Sequence, residues 1–242
     1  MSGSGPAALK ALAPTLSVGV LSADLMRLGE QLEAVAAAGA RLLHFDVLDG
    51  RFAPGSTVGA AFVGAVRTPL LKDLHLMVEE PAPAIPAWVA AGADLITVHV
   101  EACRDPRGAL RAIGEAVNRN EASRGVARGL AANPVTPVEA IEPFLEECDV
   151  VWLLAVPPGL PGQRFIHGTF DRMQDLRRRI ARAGGRVLLG VDGGINAANV
   201  GAVAAAGADL IVSGSALFAG GRIAENGRAL FEAVAAGASA AS

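Results

Sequence analysis

The sequence predicts a (β/α)8 TIM barrel, a closed ring of eight parallel strands wrapped by helices. Three observations lead there. First, one unit recurs, in which an Ala-rich helical stretch stops at a glycine. It reads Ala37-Ala-Gly-Ala-Arg-Leu-Leu-His-Phe-Asp46, then Ala90-Ala-Gly-Ala-Asp-Leu-Ile-Thr-Val-His99, then Ala205-Ala-Gly-Ala-Asp-Leu-Ile-Val-Ser213. A looser copy is Ala183-Gly-Gly-Arg-Val-Leu-Leu-Gly-Val191. Glycine adopts the left-handed helix-end conformation at little cost, so Gly39, Gly92, Gly184 and Gly207 mark helix C-termini. Second, each stop is followed by a run of Leu and β-branched residues, the composition of a strand buried on both faces. Third, the 242 residues hold about eight such units without a large insertion.

Taken in order, the predicted strands lie near 15–22, 41–47, 71–77, 94–99, 126–132, 149–155, 186–191 and 209–213, with helical patterns between them and after the last. An open doubly wound sheet is the structural alternative. No linker-like composition interrupts the series. Residues 1–13 read as an N-terminal extension, 14–234 as one barrel domain, and 235–242 as a small, polar, flexible tail.

Composition narrows the function classes. Net charge is −3, which advertises neither a nucleic-acid nor a membrane partner. The densest basic cluster, Arg177 to Arg179, reads as a solvated helix face. Cys103 and Cys148 form no metal-ligand spacing and no disulfide framework, which fits a cytoplasmic location. No signal-like segment opens the chain, and no run of about 18 apolar residues suggests a membrane span.

In such a barrel, reactive groups gather at the C-terminal ends of strands. Strand two ends His44-Phe45-Asp46-Val47. Side chains alternate along a strand, so with Phe45 and Val47 under the helices, His44 and Asp46 face the interior. Strand three brings His75 to matching depth, and strand seven ends at Asp192. Two imidazoles and two carboxylates on one interior suit a divalent ion: Zn²⁺, with Fe²⁺, Mn²⁺ and Co²⁺ as rivals. Taken singly, each residue has a plainer reading, a hydrogen-bonded core histidine or an aspartate capping the next helix. His99 pairs with Glu101 by strand spacing and can support a ligand from behind. His167 reads as a surface residue, and Asp24 and Asp49 as caps.

A phosphate site is read from glycine. Gly193 and Gly194 close strand seven, and Gly214 and Ser215 close strand eight, where barrels commonly bind phosphate on loop backbone. The loop Pro157-Pro-Gly-Leu-Pro-Gly-Gln163, with Gly159 and Gly162, can fold over that site as a lid.

The runs Val20-Leu-Ser-Ala-Asp24, His44-Phe-Asp-Val-Leu-Asp-Gly50, His75-Leu-Met77, Thr97-Val-His-Val-Glu-Ala102, Val191-Asp-Gly-Gly-Ile195 and Ser213-Gly-Ser-Ala216 resemble the ribulose-phosphate 3-epimerase family. The resemblance runs from about residue 14 to 220. It implies a ribulose-phosphate-binding type of barrel and one divalent metal ion bound by His44, Asp46, His75 and Asp192. It further implies an isomerase that interconverts D-ribulose 5-phosphate and D-xylulose 5-phosphate through a metal-stabilised enediolate. Asp46 and Asp192 are then the two proton carriers, and a homo-oligomer is the expected assembly.

The match has departures. The family's serine at the position of Gly19 is missing, and Ser17, one inward position earlier, is the expected substitute. Pro157 and Pro161 replace other residues in the lid, removing backbone donors and restricting φ. Leu48 and Leu154 stand where the family has methionines, while Met77 is kept, and Gly55 replaces an asparagine. These changes motivate a ketohexose 6-phosphate, such as allulose 6-phosphate, as an alternative substrate. The Asp-x-Lys-x-x-Asp strand end of the related decarboxylases and synthases is absent, the only lysines being Lys10 and Lys72. A barrel that binds a phosphosugar without turnover is the non-enzyme alternative.

Overall fold

The structure, a computed structural model, describes residues 5–121, 125–159 and 162–240. Its strands are β1 (Thr15–Gly19), β2 (Leu42–Leu48), β3 (Leu71–Met77), β4 (Leu95–His99), β5 (Ala127–Ala132), β6 (Val150–Leu154), β7 (Leu188–Asp192) and β8 (Leu210–Ser213). Each pairs in parallel with the next, and β8 closes on β1. The predicted (β/α)8 barrel is the fold. Helices α1 (Gly5–Leu12), α2 (Leu28–Ala37), α3 (Ala60–Ala65), α4 (Ile85–Ala90), α5 (Pro106–Gly114), α6 (Thr169–Arg182), α7 (Val200–Ala205), α8 (Ser215–Phe218) and α9 (Ile223–Ala240) complete it.

The recurring unit folds as its residues require. At Gly92 (φ +90°) the amide bonds back to Val89 O, and the amide of Ala93 reaches Trp88 O, closing α4 with a left-handed cap. The aspartate that follows has a second use. Asp94 accepts the amide of Lys72 and Asp209 that of Leu189, each at the base of the preceding strand. Between β5 and β6 the expected helix is replaced by short 3₁₀ turns, Val138–Ala140 and Glu142–Glu147. Pro137 and Pro143 lack the amides a longer helix would need there.

Strand alternation sorts the core into two layers. Leu43, Phe45, Val47, Leu74, Leu76, Ile96 and Val98 pack outward beneath the helices. Leu42, Leu95, Ala127, Val150, Trp152, Leu188 and Leu210 fill the barrel interior. Trp152 occupies the centre, and a Cβ on Gly190 opposite would sit 2.3 Å from its ring. The indole lies 5.7 Å from the His44 ring, so it forms part of the floor on which the site stands.

Several expectations need correction. β1 is extended only to Gly19, because Val20–Ser22 turns as a 3₁₀ helix. Residues 5–12 of the segment read as an extension form α1, whose Leu9 is 1% exposed and packs with the interior cluster. Leu9→Ala should therefore lower unfolding free energy by about 2–4 kcal/mol, measured by urea denaturation. A change near zero would mean that α1 does not belong to the cooperative unit. Residues 235–240 of the expected flexible tail are the last turns of α9. There a Cβ on Gly237 would meet Gly201 O at 2.2 Å, so glycine permits close packing on α7. Arg177 to Arg179 are not one solvated face either. Arg177 pairs with Asp209, and Arg179, 13% exposed, is held by Asp175, Glu139 and Glu142. No helix among the described residues is long and apolar enough to cross a membrane.

Candidate active site

His44 and Asp46 leave the inner face of β2, His75 that of β3, and Asp192 the end of β7. Strand register sets Asp46 directly opposite His75. His44 Nε2 lies 3.2 Å from Asp46 Oδ1 and 3.8 Å from Asp192 Oδ2. His75 Nδ1 lies 3.3 and 3.4 Å from the same two oxygens. One ligand atom from each residue falls within 4.8 Å of all the others. Burial alone would depress both imidazoles. Asp73 and Asp46 outweigh it at His44, and Asp192 and Asp46 at His75, so both pKa values rise. Burial alone would raise Asp46, but the two histidines overcome it and hold the carboxylate ionised.

This donor set fits a divalent cation. Imidazole and carboxylate suit a borderline ion, and two negative charges offset its positive charge. His75 Nδ1 is buried and aims between Asp46 and Asp192 at ion-pair distance, without a well-aligned hydrogen bond to either, as expected of a nitrogen that faces a ligand.

Each imidazole is braced from behind. His44 Nδ1 lies 2.7 Å from Asp73 Oδ2, which also accepts the Ser17 hydroxyl at 2.8 Å. His75 Nε2 lies 2.8 Å from His99 Nε2, and His99 Nδ1 lies 3.1 Å from Glu101 Oε2. Burial lowers His99 to about 4, an effect that the Glu101 hydrogen bond only partly opposes. Burial would raise Glu101, but hydrogen bonds from His99, Thr136 and the Asn133 amide bring it down to about 2.

Above the cluster lies a cavity of about 630 Å³. Asp46 and Asp192 line its base, Leu48, Met77 and Leu154 its apolar wall, and Gly193, Gly194, Gly214 and Ser215 one side. Gly193 (φ +109°) and Gly194 (φ +68°) press against the residues that flank the lid: a Cβ on Gly193 would meet Val156 Cγ2 at 2.5 Å, and one on Gly194 would meet Phe165 N at 2.4 Å. The described residues of the lid, Pro157, Pro158, Gly159, Gly162 and Gln163, also line the cavity. Gly159 (φ +108°) abuts the loop after β2, where its Cβ would meet Pro54 O at 2.6 Å.

The model of the ribulose-phosphate 3-epimerase family matches residues 15–218. The chain belongs to that family. Ribulose-phosphate 3-epimerase of Bacillus subtilis (strain 168) is 41% identical over 82% of this chain and 89% of its own. That of Escherichia coli (strain K12) is 40% identical over 82% and 86%. The chloroplastic ribulose-5-phosphate-3-epimerase of Arabidopsis thaliana is 40% identical over 84% and 71%. In fold, the chain also resembles 3-hexulose-6-phosphate synthase from Salmonella typhimurium, with TM-score 0.63 and 18% identity over 91% and 98% of the two chains. The chain is thus an isomerase, an epimerase acting on carbohydrates.

Within this epimerase barrel the predicted residues divide. His44, Asp46, His75 and Asp192 converge, and Gly159, Gly162, Gly193, Gly194, Gly214 and Ser215 all border the cavity. Ser17 does not. It is fully buried, one layer below the cavity, with its hydroxyl committed to Asp73. The hydroxyl that reaches the cavity near Gly19 belongs to Ser22, on the 3₁₀ turn after β1. Asp73 was also missed, although it shares the inward parity of His75. Asp24 and Asp49 cap turns as expected, and His167 is exposed.

Pro157 does not keep the lid from the opposite wall, whereas Pro161 lies outside the described residues. Gly159→Ala adds a methyl group against a backbone carbonyl at a strained φ. We expect it to raise KM several-fold for a phosphorylated ketose with little change in Tm, read by steady-state kinetics and thermal melting. An unchanged KM would show that lid closure at this contact does not assist substrate binding.

Proposed function

We propose that this chain is a metal-dependent 3-epimerase interconverting D-ribulose 5-phosphate and D-xylulose 5-phosphate. One observation carries the reading: Asp46 and Asp192, from strands three apart around the ring, line the same cavity and share the same two imidazoles. Epimerisation beside a ketone removes the C3 proton from one face and returns a proton to the other. Asp46, held ionised, takes that proton in one direction, and Asp192 in protonated form delivers the other; the roles exchange in reverse. A divalent ion bound by His44, Asp46, His75 and Asp192 supplies Lewis-acid polarisation of the ketone and hydroxyl oxygens, Zn²⁺ being favoured over Fe²⁺, Mn²⁺ and Co²⁺. Leu48, Met77 and Leu154 keep water from the reacting carbon. Backbone amides at Gly193, Gly194, Gly214 and Ser215 receive the phosphate, with Gly159 and Gly162 of the lid above it.

A ketohexose 6-phosphate is the second reading, favoured by the absence of a side chain where Gly19 lines the cavity. The test is NMR of metal-loaded protein with D-ribulose 5-phosphate in D₂O. Deuterium at C3 together with xylulose 5-phosphate supports the pentose reading. Inertness there with exchange on allulose 6-phosphate moves the assignment to the hexose. Inertness on both, with metal bound, overturns the proposed activity.

A further inference from the structure

We infer that Glu101 and His99 are positioning residues that fix the tautomer of His75, reserving its Nδ1 for the metal. The inference rests on the metal reading above. It starts from a difference between the two histidines of the cluster. His44 is braced by a carboxylate, that of Asp73, which accepts a hydrogen only and so dictates which nitrogen carries it. His75 is braced by a second imidazole, which can donate or accept at either nitrogen and by itself dictates nothing.

The missing instruction comes from Glu101. Its Oε1 accepts the backbone amide of Asn133 at 2.7 Å and the hydroxyl of Thr136, and its Oε2 faces His99 Nδ1 at 3.1 Å. A carboxylate donates nothing, so His99 carries its hydrogen on Nδ1. His99 Nε2 is then a lone pair, and the hydrogen between the rings belongs to His75 Nε2. The rings are tilted only 14° from one another. Their centroids lie 4.9 Å apart, further than the nitrogens at 2.8 Å, so they meet edge on as an N–H···N bond requires. With Nε2 holding its hydrogen, the proton that a metal displaces from His75 is the one on Nδ1, the atom that faces Asp46 and Asp192. His99 is fully buried, and the Phe52 ring covers it at 4.7 Å, so water does not offer its Nε2 another partner.

Glu101→Gln keeps shape and volume but reverses the instruction. The Asn133 amide cannot turn, so it and Thr136 hold the amide oxygen, and the new NH₂ group faces His99 Nδ1. His99 must then carry its hydrogen on Nε2, which meets His75 Nε2–H donor to donor at a separation that needs an acceptor. His75 relieves the conflict by moving its hydrogen to Nδ1, the atom the metal needs. Loss of such outer support typically weakens metal binding by about 10–100-fold.

The chain has four histidines, few enough for long-range ¹H–¹⁵N correlation spectra to read each ring nitrogen separately. We expect wild-type His99 to be the Nδ1–H tautomer, with or without zinc. In Glu101→Gln it becomes the Nε2–H tautomer, and zinc affinity in a competition titration against a chromogenic chelator falls about 10–100-fold. An Nε2–H tautomer at wild-type His99 overturns the inference, as does a Glu101→Gln protein that binds zinc as tightly as wild type. Weakened binding with an unchanged His99 tautomer overturns it too, because the loss then comes from a loosened loop. If wild type takes up no zinc, the metal reading fails, and the role of this relay in ligand positioning fails with it. The tautomer of metal-free His99 is still read, which separates the two failures.

Discussion

Asp192→Asn is expected to reduce interconversion by about 10²- to 10⁴-fold while leaving half of the proton chemistry in place. Asp46 in that variant still faces C3 from its own side. It can remove the proton of the epimer whose C3–H points toward it and return one to the same face. That epimer should take up deuterium from D₂O without changing configuration, and the other should be inert. Asp46→Asn should show the opposite pattern, with exchange confined to the other epimer. A general loss of metal cannot produce such a crossed result, because it would silence exchange in both epimers. Metal content is measured in parallel, since both aspartates belong to the donor set. Interconversion near the wild-type rate in either variant would sink the two-base assignment, and exchange of both epimers by one variant would point to a single mobile base.

The residues of this prediction were legible from sequence because they obey local rules. Glycine-stopped helices and β-rich runs gave the strand order, and period-two alternation set His44 and Asp46 on the face opposite Phe45 and Val47. Both rules use only near neighbours in the chain. What they do not contain is depth along the barrel axis. Ser17 has the correct inward parity but lies one layer too low, where its partner Asp73 is 56 residues away. Asp73 itself was passed over because a buried aspartate declares its purpose only through His44 and Ser17, on other strands. The C-terminal misreading has a similar cause. A stretch of Ala, Gly and Ser looks like a tail until α7 lies beside it, and a glycine that weakens an isolated helix then admits the Gly201 carbonyl. Arg179 reads as surface charge until Glu139 and Glu142 are brought to it from the turns after β5.

His75→Ala should remove metal binding together with activity, and thermal melting separates this from simple loss of fold. A ligand that binds only the native state at 1,000 times its Kd adds about 4 kcal/mol of stability. For a chain of this length that corresponds to a Tm rise of about 8–16 °C. Wild-type protein should show such a rise on zinc addition and lose it on chelation, and His75→Ala should show neither. The pH dependence of the rise follows from the raised pKa values of His44 and His75. In the metal-free protein the imidazolium rings pair with the carboxylates. That stabilisation is fully present below the unfolded histidine value and is lost as pH rises through the higher folded values. Zinc needs the bare nitrogens, so protons compete with it across that same window. The zinc-induced rise in Tm should therefore be small on the acid side and grow with pH, in wild type only. If His75→Ala kept full zinc occupancy and the wild-type rise, His75 would not be a ligand, and the convergence of its Nδ1 on two carboxylates would need another explanation.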